Sequence, residues 1–175
     1  MAVLVFDSAP MSAFARARQL GLLDALTASD DRVTTQAVLD ELRLGVRDFP
    51  DLAEALTLPW LRVERLDSLG ELRLFAEYAR RFGSGQHDLG EATVLAWAEA
   101  HGAVAFTDDE TAVQVGRDRG VRVQRTLAVV ARGVRNGILD ETRADRLVEE
   151  LLRAGARFPF GPGEFLVWAR AQGLL

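Results

Sequence analysis

Short apolar runs rich in β-branched residues alternate along the chain with longer amphipathic stretches, which is the pattern of βαβ units and a parallel sheet. The first and fourth runs are almost continuously apolar, as expected for strands that helices cover on both faces. The third run alternates apolar and polar residues, which indicates a sheet edge. The predicted strands are Val3–Phe6, Arg32–Thr35, Leu61–Leu66, Ala103–Thr107 and Val121–Gln124. The pattern therefore predicts the α/β fold class.

Amphipathic stretches predict helices in the gaps between these strands. The first is expected to open at Pro10 and to run as one helix through Phe14, Leu20 and Leu23. Ser8 is its expected N-cap residue, which leaves Asp7 without a structural task. The other predicted helices follow Thr35, cover about 51–58, and run from Ser68 to Phe82, from Asp88 to His101, from Asp108 to Gly120 and from about Thr126 to Arg135.

The end of the chain differs from this α/β body. We predict that residues 1–138 form the body and that residues 139–175 form a C-terminal helical extension packed on the same domain. Asp140–Arg153 has the pattern of an amphipathic helix, and a turn rich in proline and glycine separates it from a short helix containing Trp168. The aromatic residues of this segment either pack on the body or form a surface for a partner.

Composition excludes several classes of protein. The chain has 175 residues, which suits a single globular domain. It has 21 basic and 26 acidic residues, and the resulting net charge of −5 does not indicate a protein that binds nucleic acid over its whole surface. It contains neither cysteine nor lysine, which excludes disulfides, thiolate nucleophiles, a P-loop and Schiff-base chemistry. No apolar run approaches about 20 residues, and the N-terminus lacks the features of a signal peptide. We expect a cytoplasmic protein with no membrane contact.

Acidic residues follow the two strands that are expected to be central. Asp7 comes directly after the first strand, and Asp108 and Asp109 come directly after the fourth. Ligands of doubly wound sheets bind outside the carboxyl ends of the strands, where the strand order reverses, so these acids converge if the two strands are neighbours. Glu41 lies in the helix after the second strand and can lean toward the same edge. Glu91 lies in the first turn of the helix before the fourth strand.

Each of these acids also has a purely structural interpretation. Asp88 and Glu91 can form a capping box, Asp108 and Asp109 can be stabilised by a helix dipole, and Glu41 can be solvated. Gathered in one cleft, however, the carboxylates would repel each other and their pKa values would rise unless a cation neutralised them. A donor set made of oxygen alone suits Mg²⁺ or Mn²⁺ better than Zn²⁺, and such an ion can activate water for hydrolysis of a phosphodiester.

The order of these motifs resembles the PIN domain, a nuclease fold that includes the VapC-like toxins of toxin–antitoxin pairs. The resemblance covers about residues 2–138. It rests on Val-Phe-Asp7-Ser, Val-Leu-Asp-Glu41-Leu, Gly-Glu91-Ala, His101-Gly102 and Thr107-Asp-Asp109, in that order along the chain. The stretch 120–137 is also similar to PIN-like proteins that carry the Gly-Glu-Ala variant.

The resemblance implies a three-layer α/β/α sandwich around a five-stranded parallel sheet of order 3-2-1-4-5. It implies that Asp7, Glu41, Glu91 and Asp109 are the catalytic, metal-binding acids, with Asp108 as an auxiliary acid and Mg²⁺ or Mn²⁺ as the cofactor. Many family members carry Asp where this chain has Glu91, and Asp88, one helical turn earlier, could share its role. RNA, an antitoxin protein and a second copy of the chain are the partners that the resemblance implies.

The expected function is therefore a metal-dependent endoribonuclease, with a PIN-like protein-interaction module as the alternative. Arg117, Arg119 and Arg16 are candidate contacts to RNA phosphates, and a solvated surface is the competing interpretation for each cluster. A haloacid-dehalogenase-like phosphotransfer enzyme is set aside, because Ala9 stands where that class has a second Asp and because the chain has no lysine. His87 and His101 are expected in a loop and at a helix end, and Trp60 and Trp97 in packing roles.

Overall fold

The computed structural model describes residues 2–82 and 88–175, with Asp88 described by its backbone alone. Five parallel strands form one sheet in the order β3-β2-β1-β4-β5, with helices around it. This confirms the predicted α/β fold and strand order, including the edge position of the third strand. The strands are β1 Val3–Phe6, β2 Asp31–Thr35, β3 Arg62–Glu64, β4 Val104–Phe106 and β5 Arg122–Gln124.

The helices of the described residues occupy the expected gaps, with bounds that differ by a few residues from the sequence expectation. They are α1 Ser8–Arg16, α2 Leu20–Thr27, α3 Gln36–Gly45, α4 Leu52–Ala55, α5 Leu69–Phe82, α6 Asp88–His101, α7 Glu110–Asp118, α8 Thr126–Arg135, α9 Glu141–Arg153 and α10 Phe165–Ala171.

The register of the sheet brings the ends of β1 and β4 together. Phe6 pairs with Thr34 on one side and with Phe106 on the other, so β1 and β4 end at the same level and β2 runs one residue further. The backbone N–H of Asp7 then donates to the carbonyl of Phe106 at 3.0 Å. The residues that follow β1 and β4 are therefore neighbours at the carboxyl edge of the sheet, where α/β folds bind ligands.

The expectation of one continuous first helix is wrong. The chain forms α1 and α2 instead, separated by Arg18, which adopts a φ of 57°. The N–H of Arg18 bonds the carbonyl of Ala15 and the N–H of Gln19 bonds that of Phe14, which closes the end of α1 in a left-handed turn. Arginine gives no sequence signal for this conformation, which glycine usually adopts.

The C-terminal segment shares the core of the α/β body. Leu147, Val148 and Leu151 of α9 are buried, as is Phe165 of α10, and all four belong to the same apolar cluster as β1 and β4. Trp168 is half-buried and packs on Phe160 and its neighbours. Across the described ranges of the chain, no helix has both the length and the apolarity needed to cross a bilayer.

Candidate metal centre

Asp7 lies at the centre of the candidate site and is fully buried, with 0% of its surface exposed. It also caps α1, because its Oδ1 accepts a hydrogen bond from the N–H of Ser8 at 2.7 Å. This corrects the expectation that Ser8 is the cap and that Asp7 has no structural task. The other oxygen, Oδ2, accepts a hydrogen bond from the Thr107 hydroxyl at 2.6 Å, which ties the end of β1 to the end of β4.

The pKa of Asp7 is raised to about 7, chiefly by burial and also by the nearby carboxylates of Glu41 and Asp109, against the lowering effect of the hydrogen bonds from Thr107 and Ser8. Two strong donors therefore do not compensate for the loss of water around this group. A carboxylate in this position is stabilised by a cation or by a proton.

Glu91 shows the same effect from the opposite side of the cleft. Its Oε2 is buried and has no hydrogen-bond partner within the described ranges. Burial raises the pKa of Glu91 to about 8, and repulsion from Asp7, Glu41 and Asp109 acts in the same direction. The charges that act on Asp7 and Glu91 are thus those of the predicted ligand set, which shows that the fold brings these acids into electrostatic contact.

Glu41 is positioned by the backbone of α6. The N–H of Gly90 donates to Glu41 Oε1 at 2.8 Å, and a Cβ on residue 90 would lie 2.5 Å from that same oxygen. Only glycine therefore leaves room for the carboxylate at the start of α6, where unpaired backbone N–H groups favour an anion. Gly90 was not among the residues predicted to be functional; its signal in the sequence is a glycine in the first turn of a helix, directly before Glu91.

The two adjacent acids after β4 have different tasks. Asp109 caps α7 through Oδ1, which accepts from the N–H of Ala112 at 2.7 Å, and its side chain also lines the cleft beside Glu91. Asp108 binds the start of α8: its Oδ1 accepts from the Thr126 N–H at 2.9 Å and its Oδ2 from the Thr126 hydroxyl at 2.6 Å. Burial raises the pKa of Asp108. The structure therefore gives Asp108 a role in packing α8.

A cleft of about 320 Å³ is lined by three of these acids, Glu91, Asp108 and Asp109. Glu91 and Asp109 line its floor, Arg16 of α1 lines one wall, and residues 154–158, which follow α9, form another wall. The Arg16 guanidinium lies 3.9 Å from the centre of the Phe49 ring and has no ion-pair partner among the residues described. It adds a positive charge beside an acidic floor.

The donor chemistry of this cleft fits a hard divalent cation. Its ligands would be carboxylate oxygens, and the Oε2 of Glu91 is buried without a partner among the described residues, in a carboxylate that three other acids repel. As the side chains stand, no three histidine or acidic residues of ranges 2–82 and 89–175 are close enough together to hold a metal ion. For an ion to bind, side chains of this set would have to move closer together.

Comparison with known protein families gave a match over most of the chain. A family model described as a PIN domain matches residues 3–160. The chain belongs to the PIN domain family. PIN domains are generally nucleases that use divalent metals, so this places the chain in a nuclease superfamily. Searches of curated proteins and of solved structures gave no match.

The remaining predicted residues of the PIN domain fall in three places. Arg119 is not brought to the acid cleft: its guanidinium pairs with Glu99 at 2.8 Å and Glu77 at 2.9 Å and lies over the Tyr78 ring. Arg117 lines a second, larger cleft beside β5. His87 and the side chain of Asp88 lie outside the described residues.

The other aromatic and histidine side chains have structural partners. His101 stacks on Trp97 with 4.1 Å between ring centres, and its Nε2 lies 2.8 Å from Glu71. Trp60 packs edge-on against Phe6 beneath the sheet edge. None of these side chains lines the acid cleft.

Proposed function

We propose that this PIN domain is a metal-dependent endoribonuclease that uses Mg²⁺ or Mn²⁺ to hydrolyse RNA phosphodiesters. Asp7, Glu41, Glu91 and Asp109 would hold the ion. The observation that carries the proposal is the buried Oε2 of Glu91, which has no partner in the described chain and faces the charges of Asp7, Glu41 and Asp109. A group of carboxylates that raises the pKa of its own members costs stability, and a divalent cation removes that cost.

Each side chain contributes a distinct part of the site. Asp7 is held by two hydrogen bonds and gives a fixed anchor, whereas Glu41 is placed by the Gly90 N–H. Asp109 accepts a hydrogen bond from α7 through one oxygen, and it lines the cleft together with Glu91. A bound divalent ion would activate water and stabilise the leaving oxygen. No side chain of this set needs to act as a covalent nucleophile.

Arg16 is the proposed contact to an RNA phosphate at this cleft. It lines the same cavity as Glu91 and Asp109, and guanidinium groups bind phosphate oxygens in a bidentate manner. A cation at the wall offsets the acidic floor for an anionic substrate. Arg119 does not support this role, because its guanidinium already pairs with Glu99 and Glu77.

The test is metal binding and RNA cleavage by the intact chain and four variants. Asp7→Asn and Asp109→Asn should lose saturable Mn²⁺ binding, which is measured by calorimetry. They should also lose cleavage of a labelled single-stranded RNA. Asp40→Asn and Asp118→Asn are matched controls, because both acids are exposed and bond only to neighbours on their own helices. If Asp7→Asn and Asp109→Asn bind Mn²⁺ and cut RNA like the parent, the assignment is wrong.

One observation favours the second candidate, a PIN-like protein-interaction module without efficient catalysis. In the described part of the chain, the acids are not already close enough together to hold an ion. No Mn²⁺ binding at millimolar concentration, together with no cleavage, would support the module. Saturable binding that Asp7→Asn abolishes would support the nuclease.

The role as the toxin of a toxin–antitoxin pair is proposed on the family resemblance. In that role an antitoxin protein would be a partner, and the chain could act as a homodimer. Expression of the intact chain in a bacterial host should arrest growth, and Asp7→Asn should not. Growth arrest by both forms would separate toxicity from the acid cleft.

A further inference from the structure

A second cleft, about 900 Å³ in volume, lies next to the acid cleft along the edge strand β5. We refer to it as the β5 groove; β5, α7 and α8 form one side, and the segment around Phe158 and Trp168 forms the other. Asp108, Arg157 and Phe158 line both clefts. The β5 groove therefore continues from the proposed catalytic cleft.

The β5 groove concentrates positive charge in a chain whose net charge is −5. Four arginines line it: Arg117, Arg122, Arg125 and Arg157. Two acids also line it, Asp108 and Glu110, and Glu110 pairs with Arg125, so four guanidinium groups against two carboxylates leave an excess of positive charge.

Three of these arginines have donors that are not used within the described protein. Arg117 and Arg157 are exposed and make no ion pair among the described residues. The Nε of Arg125 is buried and has no hydrogen-bond acceptor there. A buried, unpaired guanidinium donor costs free energy, so an anion bound in this groove would supply a hydrogen-bond acceptor that the described protein does not.

Aromatic side chains stand opposite these cations. Trp168 and Phe158 line the groove and are half-buried, and Phe160 supports Trp168 with 5.1 Å between ring centres. A basic groove with supported aromatic faces is the arrangement with which proteins hold single-stranded nucleic acid, because phosphates bind the cations and bases stack on the rings.

We propose that the β5 groove binds the single-stranded RNA segment that continues beyond the cleavage point, with phosphates on Arg117 and Arg157 and a base stacked on Trp168. The inference rests on the proposed nuclease function in one respect, namely that the bound RNA continues into the acid cleft. The binding itself does not depend on catalysis. A volume of about 900 Å³ lies at the upper end of the range for small-ligand pockets, so the groove has room for more than one nucleotide.

The binding test uses the intact chain in EDTA, which separates the groove from metal-dependent cleavage. Fluorescence anisotropy with a labelled oligouridylate of 12 nucleotides measures affinity at several salt concentrations. The double substitution Arg117→Ala/Arg157→Ala should weaken binding roughly 10-fold and reduce the salt slope by about 1.4, since each phosphate contact on a single strand contributes about 0.7. Arg73→Ala/Arg146→Ala is the matched control, because it removes the same charge from exposed positions outside the groove.

Stacking is tested by Trp168→Leu, which keeps an apolar side chain against Phe160. It should weaken RNA binding roughly 10-fold and leave the salt slope unchanged. A poly-glutamate peptide of similar charge is the competitor, because an acidic protein segment is the other class of occupant. If the peptide binds as tightly as the RNA and Trp168→Leu affects neither, the groove is a protein-docking site and the RNA proposal is overturned.

Failure of the groove and failure of the nuclease can be distinguished. Wild-type cleavage of RNA combined with unchanged affinity and salt slope in Arg117→Ala/Arg157→Ala overturns the groove alone. Loss of affinity in that variant, with no cleavage by the wild type at any metal concentration, overturns the nuclease and supports the groove. Cleavage of the 12-mer should fall more in the double variant than cleavage of a tetranucleotide that fits the acid cleft, because only the longer RNA reaches Arg117 in the β5 groove.

Discussion

Gly90 holds the carboxylate of Glu41 through a backbone N–H at 2.8 Å, in a position that a methyl group on residue 90 would overlap. This relationship joins α3 to the start of α6 and determines where one proposed ligand points. It also explains why a glycine stands in the first turn of a long helix, although glycine is unfavourable in helices.

Replacing Gly90 with alanine should therefore separate function from stability. The added Cβ would displace Glu41, and loss of a residue that orients a metal ligand typically costs about 10–100-fold in metal affinity or activity. The free energy of unfolding should not fall, since alanine is favoured over glycine in helices by up to about 1 kcal/mol. Mn²⁺ titration, RNA cleavage and thermal unfolding measure the three quantities.

Gly21→Ala is the control for that prediction. Gly21 lies on the exposed side of α2, and a Cβ there would meet no atom within 4 Å. It should gain helix stability without any change in metal affinity. Equal Mn²⁺ affinity in Gly90→Ala and Gly21→Ala would show that Glu41 is not a ligand.

Asp7→Asn should raise the melting temperature of the metal-free protein while it abolishes cleavage. The substitution removes a charge that is costly in its buried position, and an amide can still bond Ser8 and Thr107. Scanning calorimetry in EDTA gives the comparison. A drop of several degrees in melting temperature would show that the hydrogen bonds of the carboxylate outweigh its desolvation, contrary to our interpretation.

Metal-free stability should fall as pH rises. The pKa of Asp7 is raised to about 7 and that of Glu91 to about 8, so the folded protein binds these protons more tightly than the unfolded chain does. The stabilisation is fully present below the ordinary carboxyl pKa and is lost as pH rises through the two folded-state values. Melting temperatures in EDTA at constant ionic strength, from about pH 5 to about pH 9, measure the effect.

Two comparisons support the assignment of that pH effect. The double variant Asp7→Asn/Glu91→Gln should show a much flatter profile, because both groups that titrate in the cleft are gone. Saturating Mn²⁺ should also flatten the wild-type profile, since an ion that binds the ionised carboxylates stabilises the folded protein at high pH. A wild-type profile that rises with pH in EDTA would contradict the raised pKa values.

The adjacent acids Asp108 and Asp109 should respond differently to the same substitution. Asp108→Asn should retain cleavage within a few-fold, because Asp108 is bonded to Thr126 on α8. Asp109→Asn should lose cleavage and remain folded, since asparagine is as good an N-cap residue as aspartate. Asp108→Ala should cost about 1 kcal/mol of unfolding free energy through the lost bonds to α8. Denaturant unfolding and cleavage assays on the three variants decide whether Asp108 belongs to the metal set.

The sheet could be predicted from sequence because its apolar runs are short, distinct and bounded by charged residues. Central β1 and β4 gave the clearest pattern, and the acids at their ends could be placed at one edge. The break at Arg18 could not be predicted, because no glycine or proline marks it. The role of Asp7 as a cap was also missed, since Ser8 is an equally good capping residue in sequence and only the orientation of the chain decides between them.

The side-chain partners of the site depend on tertiary packing and could therefore not be predicted from the sequence. Thr126 lies 18 residues beyond Asp108 in sequence, and only the position of α8 shows that the two groups meet. The same holds for Arg119, whose spacing fitted a basic cluster but whose guanidinium turns to Glu99. Motif order identified which acids to consider, and packing decides what each of them contacts.

The segment 154–158 crosses from α9 to one side of the acid cleft, and Gly155, with a φ of 98°, lies against the Arg16 guanidinium. All the proposed metal ligands precede α9 in the chain. Without the segment that follows α9, they would lie at a shallow surface that is open to solvent on that side. The depth of the acid cleft, and with it the width of any substrate that could enter, is therefore set by residues outside the proposed ligand set.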